Sequence, residues 1–157
     1  MTADLAAGSA RLSTLYQEMI LDHYRRPRNK GALGNPTSTA MLKNPLCGDE
    51  LEVQVTLEGD RITALRFGGR GCSISQASAS MMTEVVAGLC LAEAESLIAL
   101  MAAMLRGDPV AAADDRLGQL RALSGVARFP TRHRCASLAW ESLARALASA
   151  AGPTTRG

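Results

Sequence analysis

Aromatic residues are nearly missing from this chain: one Trp, two Tyr and two Phe make up 3% of its 157 residues. A nucleic-acid-binding surface usually joins aromatic platforms to a clear basic excess. Here 17 Lys and Arg face 15 Asp and Glu, a net charge of +2, which argues against that class. No apolar run approaches the roughly 18 residues of a membrane span. Residues 1–11 carry neither the early positive charge nor the apolar stretch of an export signal, so the expectation is a cytoplasmic protein with no membrane partner. Histidine is equally scarce. With only His23 and His133, and no His-Glu-x-x-His string, a histidine-ligated zinc hydrolase has little to build on.

The chain has the length of one domain, and 47% of it is apolar. Folding hides roughly 68–70% of the surface of an unfolded chain of this size, enough for a core. With few aromatics, that core must be aliphatic. Residues 1–11 and 151–157 are expected to be flexible, flanking a single domain over 12–150.

Apolar residues Leu12, Leu15, Tyr16, Met19, Ile20 and Tyr24 recur at helical spacing, with Ser13 as a candidate N-cap and Pro27 as the stop. Arg25, Arg26, Arg28 and Lys30 follow as a solvated helix end, the alternative being a docking surface for an acidic partner. Leu51, Val53, Val55 and Leu57 alternate with polar residues, which predicts a half-buried strand. Glu58-Gly59-Asp60 turns the chain into a second strand, Arg61 to Phe67. Ala40 to Lys43 can add a short edge strand, and Gly68 to Gly71 reads as a glycine loop. Helices are expected over Ser73–Ala87, Ala92–Arg106 and Thr131–Ala150, with a shorter one around Leu117, Leu120 and Leu123. The fold class is α+β: a small antiparallel sheet of about three strands packed by helices.

Four cysteines remain. Nothing points to export, so metal binding, nucleophilic chemistry or simple packing are better readings than disulfides. Cys90, between Leu89 and Leu91, reads as a small apolar filler. The other three sit at element edges. Cys47 lies in the turn Asn44-Pro45-Leu46-Cys47-Gly48-Asp49. Cys72 opens a helix, where orphan amides and the dipole favour a thiolate, and Cys135 falls in the early turns of the last helix. Asp49 is two residues from Cys47, so in an extended chain both can face one ion. Three thiolates and a carboxylate make the four ligands that a tetrahedral zinc takes. Arg70, Arg132 and Arg134 adjoin these cysteines and would offset the excess negative charge, their plainer reading being surface solubility.

Four separated strings then carry a resemblance: Leu15-Tyr16-Gln17-Glu18-Met19-Ile20-Leu21-Asp22-His23-Tyr24, Asn44 to Asp49, Gly71-Cys72-Ser73-Ile74-Ser75, and Arg128-Phe129-Pro130 with Cys135-Ala136-Ser137-Leu138. In this order they resemble the IscU/NifU-type iron–sulfur cluster assembly family over about Leu12 to Leu147. The chain looks most like the SufU branch. Arg134 stands where scaffold-type IscU proteins carry a histidine, and residues around Leu97 to Leu123 resemble the segment that SufU proteins insert. The resemblance implies an IscU/NifU-like fold and a zinc ion (Zn2+) held by Cys47, Asp49, Cys72 and Cys135. It also implies that Cys47 accepts persulfide sulfur from a SufS-like cysteine desulfurase, acting as a sulfurtransferase for downstream cluster assembly proteins. Two rival readings use the same residues: a scaffold on which an iron–sulfur cluster is assembled, and a structural zinc module for protein interaction.

Overall fold

A computed structural model describes the backbone of residues 2–45 and 48–156, and the side chains of residues 14–45 and 48–150. The chain runs α1 (Thr2–Arg25), β1 (Ser38–Asn44), β2 (Asp49–Glu58), β3 (Arg61–Arg70), α2 (Ser73–Val86) and α3 (Leu91–Leu105). It continues through α4 (Pro109–Ala112), a 3₁₀ segment (Asp115–Arg128) and α5 (Pro130–Arg156). The strands form an antiparallel meander in the order β1-β2-β3.

The alternation along β2 decides which face of the sheet is covered. Leu51, Val53 and Val55 are fully buried, and Ile62, Leu65 and Phe67 of β3 join them. Each such side chain contributes roughly 1.5–3 kcal/mol on burial. Helix α5 lies against β1 and β2, α2 lies against β3, and the two helices touch each other. Among the described residues, no helix is long and apolar enough to cross a membrane.

Helix α2 is buried along nearly its whole length, from Ser75 to Thr83. It therefore carries serines whose hydroxyls must find partners inside the protein. The Ser78 hydroxyl donates to the Ala136 carbonyl of α5 at 2.7 Å and accepts from Trp140 Nε1 at 3.2 Å. Ser80 Oγ accepts the Arg28 amide at 2.9 Å and meets His23 Nδ1 at 2.7 Å. On its other side His23 meets Gln119 Oε1 through Nε2 at 2.8 Å, with Glu84 Oε1 at 3.6 Å. With acceptors on that side, Nε2 is a donor. His23 thus joins α1, α2 and the 3₁₀ segment, a packing role in agreement with its place on the first helix.

Several boundaries depart from the sequence expectations. Helix α1 runs through Ser13, which therefore does not cap its start. Strand β3 continues past Phe67 into the glycine stretch: Gly68, Gly69 and Arg70 pair with Glu52, Leu51 and Glu50. Glycine permits this because Gly69 has φ +108°, and a Cβ there would collide with the Glu50 carbonyl across the ladder. Cys90 is not a core filler. It is half-buried as the N-cap of α3, in a capping box with Glu93, whose Oε1 accepts the Cys90 amide at 3.0 Å. The basic stretch after Tyr24 is partly neutralised, since Arg26 and Arg28 both reach Asp22 at 2.7 Å. Those guanidiniums, Arg28 foremost, hold the Asp22 carboxyl below its ordinary range.

Candidate metal centre

Asp49 is placed by a hairpin. β1 and β2 form a hairpin whose turn is closed by the Asn44–Asp49 pair and by the Gly48 amide bonding to the Asn44 carbonyl at 2.8 Å. Gly48 has φ +73°, a conformation that glycine adopts at little cost. The turn delivers Asp49 to the first position of β2, fully buried. Cys47, the sequence-predicted ligand and sulfur acceptor, lies outside the described residues.

Cys72 is the N-cap of α2, with extended backbone (φ −72°, ψ 172°) and no side-chain capping bond. Its amide, a donor the helix leaves unused, bonds to Asp49 Oδ1 at 2.9 Å. This contact ties the start of α2 to the start of β2 and orients the carboxylate. Between them stands Gly71, at which a Cβ would collide with Asp49 Oδ1 and Ser75 Oγ. Cys135 comes from the second turn of α5 and is 1% exposed. The neighbouring Ala136 carbonyl is the one held by Ser78, so the same α2–α5 contact that buries the helices fixes the height of Cys135.

One ligand atom from each of Asp49, Cys72 and Cys135 lies within 4.8 Å of the others. Around a tetrahedral zinc with Zn–S bonds of about 2.3 Å, neighbouring sulfurs are roughly 3.8 Å apart. The trio thus needs to close by at most about 1 Å to hold such an ion. Two thiols and a buried carboxylate, converging from three elements, are a donor set suited to zinc. When bound, the ion would keep its sulfur ligands ionised.

The structure also locates His133 and the arginines that adjoin the cysteines in the sequence. His133 is not part of the cluster among the described residues. Arg70 is largely exposed and pairs with Glu50 at 3.7 Å, while Arg134 pairs with Glu141 at 2.8 Å. Arg134 sits in a neutral pair, whereas Glu50 also meets Lys43 at 3.5 Å, so the group around Arg70 keeps a net positive charge. Sequence reasoning missed Gly71 and Ser75. The available signal was a glycine directly before the helix-opening cysteine and a serine three residues after it.

Comparison with known proteins places this geometry in a family. The profile described as NifU-like N terminal domain matches residues 15–149. The chain is 42% identical over 144 residues to the zinc-dependent sulfurtransferase SufU of Bacillus subtilis, covering 92% of this chain and 97% of that one. It is 38% identical over 138 residues to the iron-sulfur cluster assembly scaffold protein IscU of Streptococcus pyogenes, covering 88% and 86%. Among solved structures, a putative iron-sulfur cluster assembly scaffold protein for the SUF system from Fervidobacterium islandicum superposes with a TM-score of 0.74 at 32% identity, covering 83% of this chain and 94% of that one. The motifs around Asp49, Cys72 and Cys135, the helix-packed three-stranded sheet and these likenesses agree: the chain belongs to the IscU/NifU family, through its NifU-like N-terminal domain.

Proposed function

We propose that this chain is a zinc-binding sulfur acceptor for iron–sulfur cluster assembly, taking persulfide sulfur from a cysteine desulfurase in the cytoplasm and passing it to downstream assembly proteins. The observation that carries the reading is the convergence of Asp49, Cys72 and Cys135, whose ligand atoms lie within 4.8 Å of one another. Cys47, two residues before Asp49 in the sequence, is the fourth ligand in this reading and the sulfur acceptor. The likeness to a protein named zinc-dependent sulfurtransferase supports both assignments.

The chemistry asked of the chain is an exchange at sulfur. The Cys47 thiolate attacks the outer sulfur of the partner's persulfide. A new S–S bond forms, the old one breaks, and the partner's cysteine leaves as a thiolate. Electrons balance without any external oxidant or reductant. Asp49, an oxygen donor among sulfurs, keeps the site less closed than a four-cysteine structural site would be. Zinc analysis of the untagged protein should give one ion per chain. Mass spectrometry after incubation with desulfurase and cysteine should find one added sulfur on the wild type and none on Cys47→Ser. Loading that survives Cys47→Ser rejects the acceptor assignment.

The scaffold reading draws on the likeness to a protein named IscU, and thiolates of this kind also hold iron–sulfur clusters. Arg134, in place of the histidine of scaffold-type proteins, weighs against it. Anaerobically purified protein should be colourless, and a brown protein would favour the scaffold. A purely structural zinc module would keep its ion when desulfurase is added.

A further inference from the structure

Ser75 is fully buried in the first turn of α2, and its hydroxyl stands against the same Gly71 that Asp49 touches. The two oxygens therefore flank Cys72 through one shared neighbour. Ser75 Oγ donates to the Cys72 carbonyl at 3.1 Å and lies 3.8 Å from the Cys72 sulfur, within hydrogen-bonding reach for sulfur. In the thiol form the S–H donates to Oγ. A sulfur that ligates a metal has lost its proton and can only accept. The Ser75 O–H is then a donor in place beside it, shared between the carbonyl and the sulfur.

We propose that Ser75 is a positioning residue for the metal centre: its hydroxyl hydrogen-bonds the metal-ligating Cys72 sulfur, fixing that sulfur's direction and how tightly the ion is held. This rests on the reading of Asp49, Cys72 and Cys135 as a metal site. Removing a group that bonds a ligand in this way typically weakens metal binding by about 10- to 100-fold. It also raises the energy of the sulfur lone pairs, because hydrogen bonds to sulfur tune the electronics of the metal–thiolate unit.

The test compares wild type, Ser75→Ala and Ser80→Ala, loaded with cobalt or zinc. Ser80→Ala breaks buried hydrogen bonds on the same helix without touching Cys72, and so controls for loosening of α2. For Ser75→Ala the expected results are a thiolate-to-cobalt band at longer wavelength and a zinc affinity lower by about 10-fold or more against a competing chelator. Ser80→Ala should keep the wild-type band and affinity. A Ser75→Ala protein with wild-type band and affinity overturns the proposal, as does an equal loss in both variants with the band unmoved. A wild-type chain that takes up neither metal overturns the metal reading itself and the role of Ser75 with it.

Discussion

Replacing Gly71 by alanine tests whether the site is as tightly built as its geometry states. No positive φ is involved, so the cost is steric alone. The new methyl would stand 3.0 Å from Asp49 Cγ and closer still to Oδ1 and to Ser75 Oγ. Carbon atoms in good contact stand about 3.5–4.0 Å apart, so the carboxylate must retreat by about 0.5 Å or more. Ser75 can turn its hydroxyl away, but Asp49 is buried and bonded to the Cys72 amide at 2.9 Å. Overpacking of this kind costs about 1–3 kcal/mol. At about 2–4 °C per kcal/mol for a domain of this size, the metal-free protein should melt roughly 2–12 °C lower. A ligand constellation works only when held within about 0.5 Å, so zinc affinity should fall in parallel. Thermal melting of the metal-free protein and chelator competition on the loaded one read the two effects separately. Gly71→Ala with wild-type melting and wild-type zinc affinity would refute the crowding argument.

Three further outcomes follow from the helix contacts. Ser78→Ala removes the donor to the Ala136 carbonyl and the partner of Trp140 Nε1, and should destabilise by about 1–3 kcal/mol in urea unfolding; an unchanged midpoint would show that the α2–α5 contact does not depend on it. His23→Leu keeps the volume but breaks the links to Ser80 and Gln119, so amides of the 3₁₀ segment should exchange faster while those of β2 do not; uniform exchange would count against the clasp. Asp114, capping the 3₁₀ segment, is held at a pKa of about 2 against 3.8, chiefly by the side-chain hydrogen bond from Arg116. Its folded pKa is depressed, so its stabilisation is fully present above pH 3.8 and disappears as pH falls through about 2. Melting curves of Asp114→Asn should therefore lack the part of the acid dependence between those values, and a curve parallel to wild type there would contradict the assignment.

Much of this architecture was legible in the sequence because it depends on short-range pattern. The alternation from Leu51 to Leu57 fixed one strand and its buried face, and the turn at Gly59 implied its partner. A cysteine just before a long helical stretch read correctly as a helix start. Contacts between distant positions left no such trace. Nothing near His23 announces Ser80 or Gln119, and nothing near Ser78 announces Trp140. Glycine hid the rest: Gly68 and Gly69 read as loop because the sequence does not reveal that a neighbouring strand needs their missing side chains. Cys90 read as filler since its pairing with Glu93 depends on where α3 begins. The cluster of Asp49, Cys72 and Cys135 was legible only as a set of edge positions, and its convergence required the hairpin, α2 and α5 to meet.

The bond between the Cys72 amide and Asp49 Oδ1 gives the protein an internal gauge. That proton is shielded from solvent deuterium only while the carboxylate stays in place, so its lifetime counts how often the acidic side chain swings away. Any partner that pulls Asp49 aside to reach the sulfurs must also unlatch the first peptide of α2.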